Sequence, residues 1–74
     1  MSMNDVINDA RKKLLFNNFL KQSDGVYIKN DWTVRLFPDF TMDAFNDDYY
    51  WNGNIYDINI DDVISDINEF VEGR

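Results

Sequence analysis

Hydrophobic positions recur along the chain with two different periods, and the changes of period mark out its elements. Near the C-terminus Ile60, Val63, Ile64, Ile67 and Val71 fall at i, i+3, i+4, i+7 and i+11, one apolar stripe of an α-helix. Asp61, Asp62, Ser65, Asp66, Asn68, Glu69 and Glu72 fill its other face. Asn59 stands before the stripe as an N-cap, and Gly73 ends it. At the other end of the chain Met3, Val6, Ile7, Ala10 and Leu14 share one face of a helix read over residues 3–22. Ser2 or Asn4 would cap it, and Asp5 and Asp9 sit where the helix dipole favours anions. Leu15, Phe16, Phe19 and Leu20 rotate off that face. Either the helix ends near Asn17-Asn18, or its second half is apolar over a wide arc.

Between the helices the period drops to two. The segments 26-VYIK-29 and 32-WTVRLF-37 alternate as strands, with Trp32, Val34 and Leu36 on one face. Asp24-Gly25 is a turn signal, Asn30-Asp31 suits a two-residue hairpin loop, and Pro38 stops the second strand. The segment 39-DFTMDAFNDD-48 fits a loop, or a short helix capped by Thr41 with Met42 and Phe45 inward. The segments 49-YYW-51 and 54-NIYDI-58 flank Asn52-Gly53, a strong hairpin signal. The expected fold is a single α+β domain over residues 1–74. It has an antiparallel sheet of three or four strands, made of two hairpins, with the N-terminal and C-terminal helices on one face.

Composition narrows the chemistry. The 74 residues contain neither cysteine nor histidine, which removes thiolate chemistry, the commonest general base and the commonest metal ligand. No apolar run approaches the roughly 18 residues of a membrane span, and no signal-peptide pattern opens the chain, so a cytoplasmic protein is expected. The formal charge is −7, unevenly spread. Residues 1–37 hold six basic and four acidic residues, whereas residues 38–74 hold ten acidic residues and one basic residue, Arg74. Phosphate contact needs Lys or Arg, so the second half is expected to meet a basic protein surface and not nucleic acid itself.

Three kinds of site suit an acidic chain, and two fail. From Asp57 the sequence places Asp57, Asn59 and Asp61 at positions 1, 3 and 5 of an EF-hand loop. Asp62 then occupies position 6, where the turn needs glycine, and Asn68 occupies position 12, where a bidentate glutamate belongs. Carboxylate pairs such as Asp47-Asp48 could serve glycosidase-type chemistry, but a chain this small leaves little room for the deep pocket that retunes them. No catalytic residue, metal or cofactor is therefore expected. The third kind is a protein-binding face. Asp43, Asp47, Asp48, Tyr49, Tyr50, Trp51, Asp57, Asp61, Asp62, Asp66 and Glu69 are its candidate residues. Tyr and Trp anchor interfaces, and a ladder of carboxylates along a helix can imitate the spaced charges of a phosphate backbone. Strand alternation sets Tyr49 and Trp51 on one face and Tyr50 on the other; Tyr50 is expected outside and Trp51 at the edge of the core.

The small, cysteine-free, acidic, Asn/Asp/Ile-rich profile resembles phage-encoded inhibitors of bacterial defence, the anti-CRISPR and anti-restriction proteins. Several of those families look like nucleic-acid mimics that occupy a basic groove. The run 47-DDYYW-51 also resembles the acidic, paired-tyrosine epitope of colicin DNase immunity proteins, which are all-helical where this chain has strand patterns. The resemblance implies a non-enzymatic inhibitor, monomeric or homodimeric, acting in the cytoplasm of a bacterial host cell. Its acidic face would dock on the nucleic-acid-binding site of a nuclease or CRISPR-type effector. The alternative is a small regulatory or assembly subunit that binds through a hydrophobic patch on the first helix, at Phe16, Phe19 and Leu20.

Overall fold

A computed structural model describes residues 3–73, with side chains from Asp5 onward. The chain runs α1 (Met3–Phe16), β1 (Leu20–Ser23), β2 (Val26–Lys29), β3 (Trp32–Leu36), β4 (Thr41–Phe45), β5 (Tyr50–Asn54) and α2 (Ile60–Glu72). The sheet is a five-stranded antiparallel meander in the order β1-β2-β3-β4-β5. Both helices lie on one face, as expected, and the strand count is five instead of three or four. Ala10 and Leu14 of α1 and Ile64 and Ile67 of α2 are buried with Tyr27, Trp32, Val34, Leu36, Met42 and Ala44 of the sheet.

Helix α1 ends at Phe16, short of the expected residue 22, and the cause is backbone chemistry at Asn18. Asn18 adopts a left-handed φ of 70°. The Phe19 N–H then donates to the Leu14 carbonyl (3.0 Å) and the Asn18 N–H to the Leu15 carbonyl (3.2 Å). This is a Schellman closure, with asparagine in the position usually held by glycine. It swings Phe19 back into the core, where it is 1% exposed. Asn4 lies inside the helix and so does not cap it, while Ser2 falls outside the described residues. The residues after the closure, 20-LKQS-23, form the edge strand β1, all four of them exposed. Hydrogen bonds to β2, not side-chain burial, hold β1 in place, so its pattern carries no apolar alternation.

The segment 39–48 is neither helix nor loop. Thr41–Phe45 is strand β4, with Met42 and Ala44 facing the helices. Alternation was hidden because Asp43 takes a buried position on the opposite face, 2% exposed, against Arg35 of β3. Asn52-Gly53 is likewise no hairpin turn: both residues lie within β5, paired with Asp43 and Met42. Gly53 serves packing instead, since a Cβ there would come within 2.7 Å of Ile58 Cδ1. The actual β4–β5 turn is 46–49. There the Asn46 side-chain oxygen accepts from the N–H groups of Asp48 (2.9 Å) and Tyr49 (2.8 Å). The expected strand 54–58 is a turn, closed by Asn54 through the Tyr56 N–H (2.8 Å) and the Asp57 N–H (3.0 Å).

The other expected features are present. Asn30-Asp31 joins β2 to β3, and Asn59 caps α2 by accepting from the Asp61 N–H at 3.0 Å. Gly25, in the β1–β2 turn, has φ 74°, and a Cβ there would meet the Leu36 carbonyl oxygen at 2.5 Å. That carbonyl belongs to the sheet and cannot step aside. Gly25→Ala is therefore expected to cost about 1–3 kcal/mol by combining left-handed strain with a backbone clash, measured as a shifted urea midpoint at unchanged m.

Candidate protein-binding groove between strand β5 and helix α2

The site is built by two neighbouring elements. Strand β5 pairs Trp51 with Ala44, an inward residue, so Trp51 and Tyr49 point to the helix side and Tyr50 to the open face. Helix α2 crosses that side and presents Asp62, Asp66 and Phe70 at four-residue spacing, a ridge beside the buried stripe of Val63 and Ile67. Between strand and helix lies an open groove of about 480 Å³, within the usual range of ligand pockets. Trp32, Tyr49, Trp51, Ile58 and Phe70 supply its apolar lining, and Asp57, Asp62 and Asp66 its carboxylates.

The aromatic part is one cluster. Tyr49 stacks on Trp32 with centroids 6.4 Å apart and planes 9° apart. Phe70 closes on both rings, 5.6 Å from Trp32 and 5.0 Å from Tyr49. Trp32 is buried, whereas Tyr49, Trp51 and Phe70 each keep a large exposed area. The Trp32 indole N–H is buried and has no hydrogen-bond partner among the described residues. Among the described residues no lysine or arginine lines the groove, and none pairs with Asp57, Asp62 or Asp66.

The eleven candidate residues thus divide into four places. Tyr49, Trp51, Asp57, Asp62 and Asp66 converge on the groove, and the Tyr50 backbone position also borders it. Asp47 and Asp48 stand exposed on the 46–49 turn that leads into Tyr49. Asp61 and Glu69 lie on the other flank of α2, along a second depression with Asn17, Ser65 and Glu72. There the Lys13 ammonium bridges Asp61 (3.0 Å) and Asp9 (3.2 Å). Hydrogen bonding to Asp61, and then to Asp9, holds the Lys13 pKa above its ordinary value. The acidic ladder on α2 is therefore a ridge between two depressions, and one of its neighbours is already neutralised.

Asp43 lies away from the groove, buried on the opposite face of the sheet. Its carboxylate accepts from Arg35 Nε (2.8 Å), from Arg35 Nη2, and from the Tyr50 hydroxyl (3.3 Å). The same guanidinium lies over the rings of Phe37 (5.3 Å) and Phe45 (5.0 Å). Asp43 therefore organises the open face of the sheet and is screened by its partners. Trp32 and Phe70 are the groove residues that sequence patterning missed. Phe70 was detectable, because it follows Val63 and Ile67 at helical spacing, one step around from the main stripe. Trp32 gave no such signal, since a strand tryptophan reads as core.

Phe19 leaves the hydrophobic patch expected on the first helix, being buried, while Leu20 sits on β1 and not on a helix. Phe16 and Leu20 stay 87% and 73% exposed, beside the unpaired edge of β1. No group of three or more Asp or Glu among the described residues is placed to hold a metal ion. No helix among them is long and apolar enough to cross a membrane. In comparisons with protein-family models, with curated proteins and with solved structures, the chain matches none.

Proposed function

We propose that this protein is a non-enzymatic inhibitor. It binds the basic nucleic-acid-binding site of a nuclease or CRISPR-type defence effector in the cytoplasm of a bacterial host. The observation that carries the reading is the β5–α2 groove, where exposed aromatics and three carboxylates meet with no basic residue among the described ones beside them. Charge and anchor divide the work in such a face. Asp47, Asp48, Asp62 and Asp66 steer the encounter, and Tyr49, Trp51 and Phe70 supply the slow dissociation.

The test begins with capture from a bacterial lysate, identification of the bound proteins by mass spectrometry, and binding kinetics on each purified candidate. Asp62→Lys with Asp66→Lys is expected to slow association about tenfold or more at low salt and to flatten the salt dependence. Trp51→Ala is expected to act on dissociation, with a loss of about 2 kcal/mol or more, the size of an interface hot spot. Binding that ignores both changes and the salt concentration would refute the acidic-face reading.

A second reading rests on the exposure of Phe16 and Leu20. In it the chain is a small regulatory or assembly subunit whose contact is this apolar patch. Phe16→Ser would then abolish binding that Asp62→Lys with Asp66→Lys leaves intact.

A further inference from the structure

We propose that the β5–α2 groove is a receptor for an arginine side chain of the partner protein, with the guanidinium on the Tyr49 and Trp51 rings and its N–H groups on Asp62 and Asp66. This deepens the acidic-face reading and rests on it.

Two observations, with the chemistry of the two cationic side chains, point to arginine. The groove joins aromatic faces to carboxylates that no cation of the described chain occupies. A guanidinium is the cation that stacks flat on a ring and still presents a fork of donors to carboxylates, whereas an ammonium is a compact and strongly hydrated charge. The chain already uses this recognition on its other face. There Arg35 lies over Phe37 and Phe45 while its Nε and Nη2 groups donate to Asp43, with a tyrosine hydroxyl completing the set. The volume of about 480 Å³ leaves room for the side chain and its adjoining peptide group.

The experiment titrates isotope-labelled protein with a blocked Gly-Arg-Gly peptide and follows the amide and indole N–H signals. Equal titrations use Gly-Lys-Gly and the citrulline peptide, which keeps arginine's shape without its charge. The arginine peptide is expected to give saturating shifts confined to Trp32, Trp51, Tyr49 and residues 62–70. Citrulline should give none, and lysine should bind about tenfold more weakly. Asp62→Asn with Asp66→Asn should weaken the arginine peptide about tenfold or more, as expected for loss of charge-assisted hydrogen bonds. Asp24→Asn with Asp39→Asn removes the same charge outside the groove and should change affinity by less than about threefold, because exposed charges act weakly at a distance.

Absence of saturable shifts, equal binding of lysine or citrulline, or equal loss in the two asparagine pairs would overturn the arginine receptor. So would groove signals that move with protein concentration alone, which would mean that a second copy covers the groove. None of these failures touches the effector kinetics, in which Asp62→Lys with Asp66→Lys would still slow association. Conversely, selective peptide binding by a protein that fails to bind any nucleic-acid-handling effector would retain the receptor and reject the inhibitor.

Discussion

Arg35→Ala is expected to destabilise the fold and lower its urea midpoint clearly, because it leaves a buried carboxylate without its charged partner. The reason is the position of Asp43, whose carboxylate is 2% exposed at the centre of the sheet's open face. Two guanidinium donors and the Tyr50 hydroxyl satisfy it. Removing Arg35 strips the charged partner and also the cover over Phe37 and Phe45. Water then reaches the carboxylate through the space the half-exposed guanidinium filled, which limits the loss. Arg35→Lys should recover only part of it, since an ammonium can neither fork to both oxygens nor stack on the two rings. The informative comparison is Arg35→Leu with Asp43→Val. Replacing both charges by apolar residues leaves no unpaired charge, and the exposed Tyr50 hydroxyl can turn to water, so the double variant is expected to stay close to the parent in stability. Urea denaturation of the two single variants and the double variant measures the coupling directly. A double variant as unstable as the sum of the singles would show that packing, not charge pairing, explains the loss.

The same ion pair explains why part of the fold could not be read from the sequence. Helix α2 was legible because every signal agreed: an apolar stripe, the Asn59 cap and the Gly73 stop. The β2–β3 hairpin was legible for the same reason. Strand β4 was not, because an aspartate among apolar residues reads as solvent-facing, and its partner lies eight residues away on another strand. Asn52-Gly53 misled through a local preference that tertiary packing overrode. Its glycine makes room for Ile58, and Asn46 supplies the turn instead. Asn18 hid the end of α1, since only its left-handed φ distinguishes a helix stop from a polar helical position.

For the site, residue types were legible and their distribution was not. Charge and aromatic content pointed to residues 43–69, and strand alternation placed Tyr49 and Trp51 together. Which carboxylates share their groove depends on the rotation of α2 against the sheet. That rotation puts Asp62 and Asp66 toward β5 and Asp61 and Glu69 toward α1.

Ile67→Ala tests that arrangement with the second large effect. Ile67 is 2% exposed, packs in the core and also lines the groove. Its truncation is expected to cost about 2–5 kcal/mol. Domains of this size have a total stability of about 4–11 kcal/mol, so the variant loses a large share of it. The melting temperature should fall by more than about 10 °C, followed by circular dichroism. Phe16→Ala is the matched control. Phenylalanine is the larger hydrophobe, so by composition alone its loss should be worse. At 87% exposure Phe16 has little burial to lose, and the change is expected to stay within about 0.5 kcal/mol. The ordering follows from the Schellman closure, which ends α1 and turns Phe19 inward while leaving Phe16 out. If Phe16→Ala proves as damaging as Ile67→Ala, Phe16 is core, the closure at Asn18 is misplaced, and the patch beside β1 is no surface for a partner. If the ordering holds, Ile67 holds the helix that carries Asp62 and Asp66, and destabilising it should weaken the groove before any carboxylate is changed.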